Sequence, residues 1–252
     1  MIELFIVGVI VGLGSALLGI GGGMFIVPVL LHVAPDMLPT TVVILSLISI
    51  LAAVLINLTM NRSSYTTVRM PWTKLILAAA LAGFLGQMTL KGLSQQNFKF
   101  IFALIMISLL LKNLIAKKEK STFFPVKLSS NTLTLIQFLG NFLSALTGLG
   151  GGVVYMTLAR DGLKVPHKVA PLLSNQFMIT GIIVTLSGKY LAHGTLGITQ
   201  NDFMVILPIF FGSFMIAKIA RLWAQKVSSR FQKWGLSLIY LAVASKLLAQ
   251  AL

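Results

Sequence analysis

The stretch "SALLGIGGGMFIVPVLL", residues 15–31, sets three consecutive glycines, Gly21, Gly22 and Gly23, inside what otherwise reads as one long apolar helix. A glycine in a helix interior costs about 1 kcal/mol relative to alanine, so a run of three calls for something other than an unbroken helix. The same break returns at residues 144–158, "SALTGLGGGVVYMTL". Ser15, Ala16, Leu17, Gly19, Gly21, Gly22 and Gly23 recur as Ser144, Ala145, Leu146, Gly148, Gly150, Gly151 and Gly152, at a constant offset of 129 residues (Gly23 to Gly152). With a one-residue gap, "ILS" ending at Ser46 falls on "LLS" ending at Ser174. This pattern predicts an internal duplication.

Composition supplies the solvent. Of 252 residues, 57% are hydrophobic and only 10% charged, where a soluble domain carries roughly 25% charged residues. Apolar runs near 40–59, 73–90, 98–115, 169–188, 203–219 and 232–250 approach the about 20 helical residues that cross a hydrocarbon layer. The regions 2–33 and 131–158 are also apolar and carry the breaks. The chain opens Met-Ile-Glu with no basic stretch ahead of its first apolar run, which does not read as a cleaved signal peptide. There is no cysteine, so disulfides, thiolate metal sites and cysteine nucleophiles are excluded together.

A net charge of +15 would suggest nucleic acid only if the basic residues formed one aqueous face. They fall instead in short gaps between apolar runs, so no nucleic-acid partner is expected; the expected partners are the lipid bilayer and a small anionic solute, with a homo-oligomer compatible. Arg62, Arg69 and Lys74 occupy one gap, Lys112, Lys117, Lys118, Lys120 and Lys127 the next strong one, and Lys218, Arg221, Lys226, Arg230 and Lys233 the last. The tendency of positive loops to stay cytoplasmic puts all three inside. Spans 169–188 and 203–219 then leave the loop 190–201 outside, and regions 2–33 and 131–158 must each enter and return to one side. The loop holding Lys91 and Lys99 is also placed outside. The expected fold is an all-α polytopic membrane protein of two inverted-topology repeats, each a glycine-broken hairpin or re-entrant segment followed by three transmembrane helices. The first repeat covers 1–115, a basic cytoplasmic linker 116–130, and the second repeat 131–252.

A glycine-interrupted segment at matching positions of two inverted halves is the signature of a transporter whose site lies at the repeat interface. Non-helical backbone survives at membrane depth only where protein or a water-filled cavity satisfies its polar groups. Half-helices starting near Gly23 and Gly152 would turn free N–H groups and positive dipole ends toward the break, a receptor for a small anion. Tight helix packing through small residues explains the Gly19/Gly23 and Gly148/Gly152 spacings taken singly; the paired triple glycines favour a site. The candidate substrate-binding residues are Gly21, Gly22, Gly23, Gly150, Gly151 and Gly152, with Ser15, Ser144, Ser46, Ser174, Asn175 and Gln176 as polar neighbours. Any one serine could instead bond back to a helical carbonyl.

Glu3, Asp36, Glu119, Asp161 and Asp202 are the only acidic residues and fall at or beyond span ends, against a carboxylate-based cation pump. His32, His167 and His193 lack metal-ligand spacing. No catalytic residues, metal or cofactor are expected, and the chain is not read as an enzyme. A rival reading is a non-transporting membrane assembly or accessory protein partnered through its basic loops.

The two breaks, each followed by an apolar half-helix, with Gly19, Gly21, Gly22, Gly23 and Pro28 in the first copy and Gly148, Gly150, Gly151 and Gly152 in the second, resemble the TauE/SafE family of membrane permeases. Thr157 stands where the first copy has Pro28, so the proline is not shared. The resemblance implies a multi-pass protein of the bacterial inner membrane that exports sulfite, sulfonates or related organosulfur anions.

Overall fold

The computed structural model describes residues 2–18, 23–60, 70–115, 129–157, 170–224 and 229–251. These residues form helices α1 (Ile2–Leu18), α2 (Gly23–Val33), α3 (Pro39–Met60), α4 (Trp72–Lys91), α5 (Gln95–Ile115), α6 (Ser130–Thr147), α7 (Gly152–Thr157), α8 (Ala170–His193), α9 (Gln200–Ala224) and α10 (Ser229–Ala251), with no strand among them. The apolar runs of the sequence appear as α3, α4, α5, α8, α9 and α10, each extended by a few residues. The broken regions appear as the helix pairs α1–α2 and α6–α7. Most of the expected cytoplasmic linker, 116–128, lies outside the described residues, as do Gly19, Gly21 and Gly22.

Among the described residues, α4 and α5 are by themselves long and apolar enough to cross a bilayer. Their outward faces carry large apolar side chains with nothing packed over them: Leu77, Leu81, Phe84 and Met88 on α4, Leu104 and Leu111 on α5. Phe211 and Met215 on α9 and Leu238 and Leu241 on α10 do the same. So continuous an apolar exterior would drive aggregation in water, and it is the surface that a hydrocarbon solvent accepts.

Inside, large apolar side chains such as Leu30, Leu47, Phe102 and Phe177 fill the core, and small residues and hydrogen bonds bring the helices together, as expected where lipid supplies no hydrophobic drive between them. The largest interfaces are α1 on α9, α4 on α6 and α5 on α10, with α3 and α8 meeting at the centre. Helix α1 runs parallel to α9: Gly8 lies on the Ile209 backbone and Gly12 on that of Ser213. Helix α4 likewise runs parallel to α6, since the Asn141 amide reaches the Ala79 carbonyl and the Gln87 amide reaches that of Ala145.

Three connections gather at one end. Gln95 donates to the Pro35 carbonyl, Lys91 meets His193, and Thr41 Oγ1 donates to the Gly197 carbonyl at 3.4 Å. The segments 34–38, 92–94 and 194–199 therefore share a face. Helices α2, α4 and α8 arrive at that face, while α3, α5 and α9 leave it. Lys91 thus shares an end with the near-neutral segment around 194–199.

Candidate functional site

The second break shows why glycine is needed. Helix α6 stops at Gly148, which adopts the left-handed conformation at φ 74° and returns its N–H to the Ser144 carbonyl at 2.8 Å. Gly150 and Gly151 follow at φ 72° and 71°. A side chain disfavours positive φ, so three of the four glycines here hold backbone that other residues resist. Helix α7 then starts at Gly152, as the sequence predicted for the half-helix, and α2 starts at Gly23.

Gly23, the described glycine of the first triplet, faces the second break. A Cβ placed on it would stand 2.7 Å from the Gly148 carbonyl oxygen and 2.5 Å from Ile50 Cδ1. The same Ile50 side chain would press on a Cβ at Gly150, at 2.8 Å. One isoleucine from the centre of α3 therefore fills the wedge between the start of α2 and the turn before α7. Ser46, one helical turn earlier on α3, donates its hydroxyl to the Gly148 carbonyl at 2.7 Å. Both side chains are essentially fully buried, and so are residues 148–152. The two surface clefts, one of about 460 Å³ along α8 and one of about 540 Å³ between α4 and α6, do not touch these residues. Among the described residues the break is covered on every side by buried side chains and backbone.

Of the other expected residues, Ser144 is buried just before the turn, and Ser174 is buried with its hydroxyl 3.4 Å from the Gly152 carbonyl. Asn175 and Gln176 are half-buried on α8. Ser15 sits in α1, and its side chain is outside the described part. Ser46 spends its proton on a carbonyl rather than holding it free.

Sequence reasoning passed over a second group. Gln137 and Asn141, one turn apart on α6, are completely buried. Asn141 donates to the Ala79 carbonyl at 2.7 Å and to Thr185 Oγ1 at 3.1 Å, joining α6 to α4 and α8. Gln137 donates to the Phe177 carbonyl and to the Tyr155 hydroxyl at 3.3 and 3.4 Å, while its Oε1 has no partner among the described residues. The Tyr155 ring, also fully buried, covers Gly140 and Gly151. The available signal was two amides at i and i+4 inside an apolar helix, which places both on one face.

The family model described as "Sulfite exporter TauE/SafE" matches residues 4–247. A Haemophilus influenzae protein named "Probable membrane transporter protein" is 25% identical over 224 residues, covering 84% of this chain and 82% of that protein. No solved structure matches the chain.

Proposed function

Because the chain belongs to the TauE/SafE sulfite exporter family, a family of membrane permeases, we propose that it is a secondary transporter that carries a small anion, such as sulfite, a sulfonate or a related organosulfur anion, outward across the bacterial inner membrane. Its halves, 1–115 and 131–252 joined by the basic segment 116–130, are inserted in opposite senses. The packing supports this reading: exchanging α1 for α6, α4 for α9, and α5 for α10 swaps the α1–α9 and α4–α6 interfaces and returns α5–α10 to itself. Helices α4 and α9, and likewise α3 and α8, point in opposite directions.

The observation that carries the proposal is the meeting of the two breaks, Gly23 against Gly148, with Ser46 bridging to the Gly148 carbonyl. The start of α2 from the first half meets the irregular backbone of the second break, where a repeat-built transporter keeps its site. Gly21, Gly22 and Gly23 with Gly150, Gly151 and Gly152 line the path of the anion. Ser15, Ser144, Ser46, Ser174, Asn175 and Gln176 offer it hydrogen bonds, the two amides making no side-chain hydrogen bond among the described residues. The closed break is the occluded state, and it opens when Ile50 withdraws and Ser46 releases Gly148. The membrane potential, interior negative, drives anion exit with about 2.3 kcal/mol per charge per 100 mV.

Sulfite flux in proteoliposomes, counted per folded molecule, tests the site. Gly151→Val sets a β-branched side chain at φ 71° against Tyr155 and the Gly140 carbonyl and should abolish flux. Asn175→Leu and Gln176→Leu alter no described hydrogen bond and should fold normally yet lose about tenfold or more in flux, the worth of one hydrogen bond to a charged group. Wild-type specific flux in both α8 variants would overturn the site.

A further inference from the structure

We infer that Lys91, Lys189 and His193 form an oxyanion-binding site at the end of the bundle where the three connections meet, separate from the glycine breaks. Lys91 closes the last turn of α4. Lys189 lies just beyond the apolar run 169–188, and His193 ends α8. Three basic side chains from two helices thus share one corner, and Gly197 of the adjoining segment lies beside the Lys189 ammonium.

Among the described residues the corner has no paired counter-charge. No ion pair is formed by any of the three among the described residues, and the nearby Asp202 carboxylate is engaged by the Thr199 N–H at 2.8 Å and hydroxyl at 2.7 Å. Partial burial, and after it the Lys91 charge, hold Lys189 below the ordinary lysine range, so its ammonium is kept partly from water and feels a second positive charge. Solitary lysines at helix C-termini are accounted for by the helix dipole. Two that disfavour each other's charge are not, and a bound anion relieves the conflict.

The donors match an oxyanion. Lys91 Nζ meets His193 Nε2, and an ammonium can only donate, so Nε2 is the acceptor and the ring proton sits on Nδ1. The remaining Lys91 hydrogens and the three of Lys189 are then the charged N–H donors for the anion, while His193 holds Lys91 through Nε2 and its Nδ1–H leaves the far side of the ring. Oxygens of a sulfite, sulfate or phosphate group accept such charge-assisted bonds at about twice the strength of neutral ones. The group can belong to a free anion or to a lipid headgroup, because the corner lies at the expected membrane boundary.

Competitive lysine acylation on the full-length protein in nanodiscs, read by mass spectrometry, tests the site without reference to transport. Lys74, exposed at the opposite end of α4, is the internal standard. In phosphatidylcholine discs at constant ionic strength, Lys189 should acylate ahead of Lys74, and about 10 mM sulfate replacing chloride should slow Lys189 by about threefold or more while leaving Lys74 unchanged, as a specific site does and screening does not. Lys91→Gln should remove that protection. Protection that needs no sulfate but appears when phosphatidylglycerol enters the disc identifies a headgroup as the occupant. Equal effects on Lys189 and Lys74 under both additions, or protection that survives Lys91→Gln, would overturn the inference. Loss of flux in the α8 amide variants leaves this result unaffected, so the two readings fail independently.

Discussion

The α1–α9 and α4–α6 pairs perform the same packing task with different chemistry. Gly8 and Gly12 on α1 stand at the 129-residue offset from Gln137 and Asn141 on α6, and Gly212 on α9 at the same offset from Gly83 on α4. In the first pair the backbones touch: a Cβ on Gly212 would lie 2.2 Å from the Phe5 carbonyl oxygen, one on Gly8 2.3 Å from that of Ile209. In the second pair the Asn141 and Gln87 amides tie the helices through the Ala79 and Ala145 carbonyls, and Asn141 also reaches Thr185 on α8. Close backbone approach and interhelical hydrogen bonds are the two available adhesives in lipid. The α1–α9 pair leans chiefly on backbone approach, and the α4–α6 pair adds side-chain amides to it. Backbone contact cannot yield to an added atom, whereas a side-chain network can.

Matched substitutions break this comparison most sharply. Gly212→Ala drives a methyl into main chain and should cost more than about 3 kcal/mol, beyond ordinary overpacking, seen as loss of the folded peak in detergent size-exclusion. Gly83→Ala meets the Thr185 hydroxyl at 2.6 Å and the Asn141 amide at 3.3 Å. Those side chains can move, so the expected cost is about 1–2 kcal/mol and the melting temperature should fall without loss of fold. Equal losses in the two variants would erase the distinction between the pairs. Asn141→Ala should cost about 1–2 kcal/mol for its two bonds, with Thr185→Ala adding little once Asn141 is gone, as a double-mutant cycle would record. The smallest effect belongs to Ser213→Ala. Its hydroxyl reaches the Gly8 carbonyl at 2.8 Å and equally the Ile209 carbonyl of its own helix. A change of about 0.6 kcal/mol or less would mark α1–α9 as held by backbone contact alone.

How much of this was legible in the sequence varies with the range of the interaction. The helix starts at Gly23 and Gly152 could be read because a glycine run is a local signal, and positive φ at Gly148, Gly150 and Gly151 is its local cause. The six apolar runs were readable for the same reason, hydropathy being a property of the segment. The bond from Ser46 to Gly148 was not, since its partner lies 102 residues away and a serine in an apolar helix more often bonds to its own turn. Ser49 on the same helix does that, donating to the Leu45 carbonyl at 2.9 Å. Ile50 was invisible, one isoleucine among many, until the fold set it between two glycines. Gln137 and Asn141 were visible as polar residues, but their role depends on α4 and α8 arriving beside them.

The parallel pairing of α1 with α9 also governs how the chain is made. Helix α1 ends at Leu18 and its principal partner starts at Gln200. At synthesis rates of about 5–20 residues per second, the first helix waits roughly 10–35 s before the surface that covers Gly8 and Gly12 has left the ribosome. For that interval the insertion machinery, lipid or a transient neighbour must shelter a glycine-lined groove, and a ribosome stalled before residue 200 leaves a nascent chain whose first helix has no native place to dock.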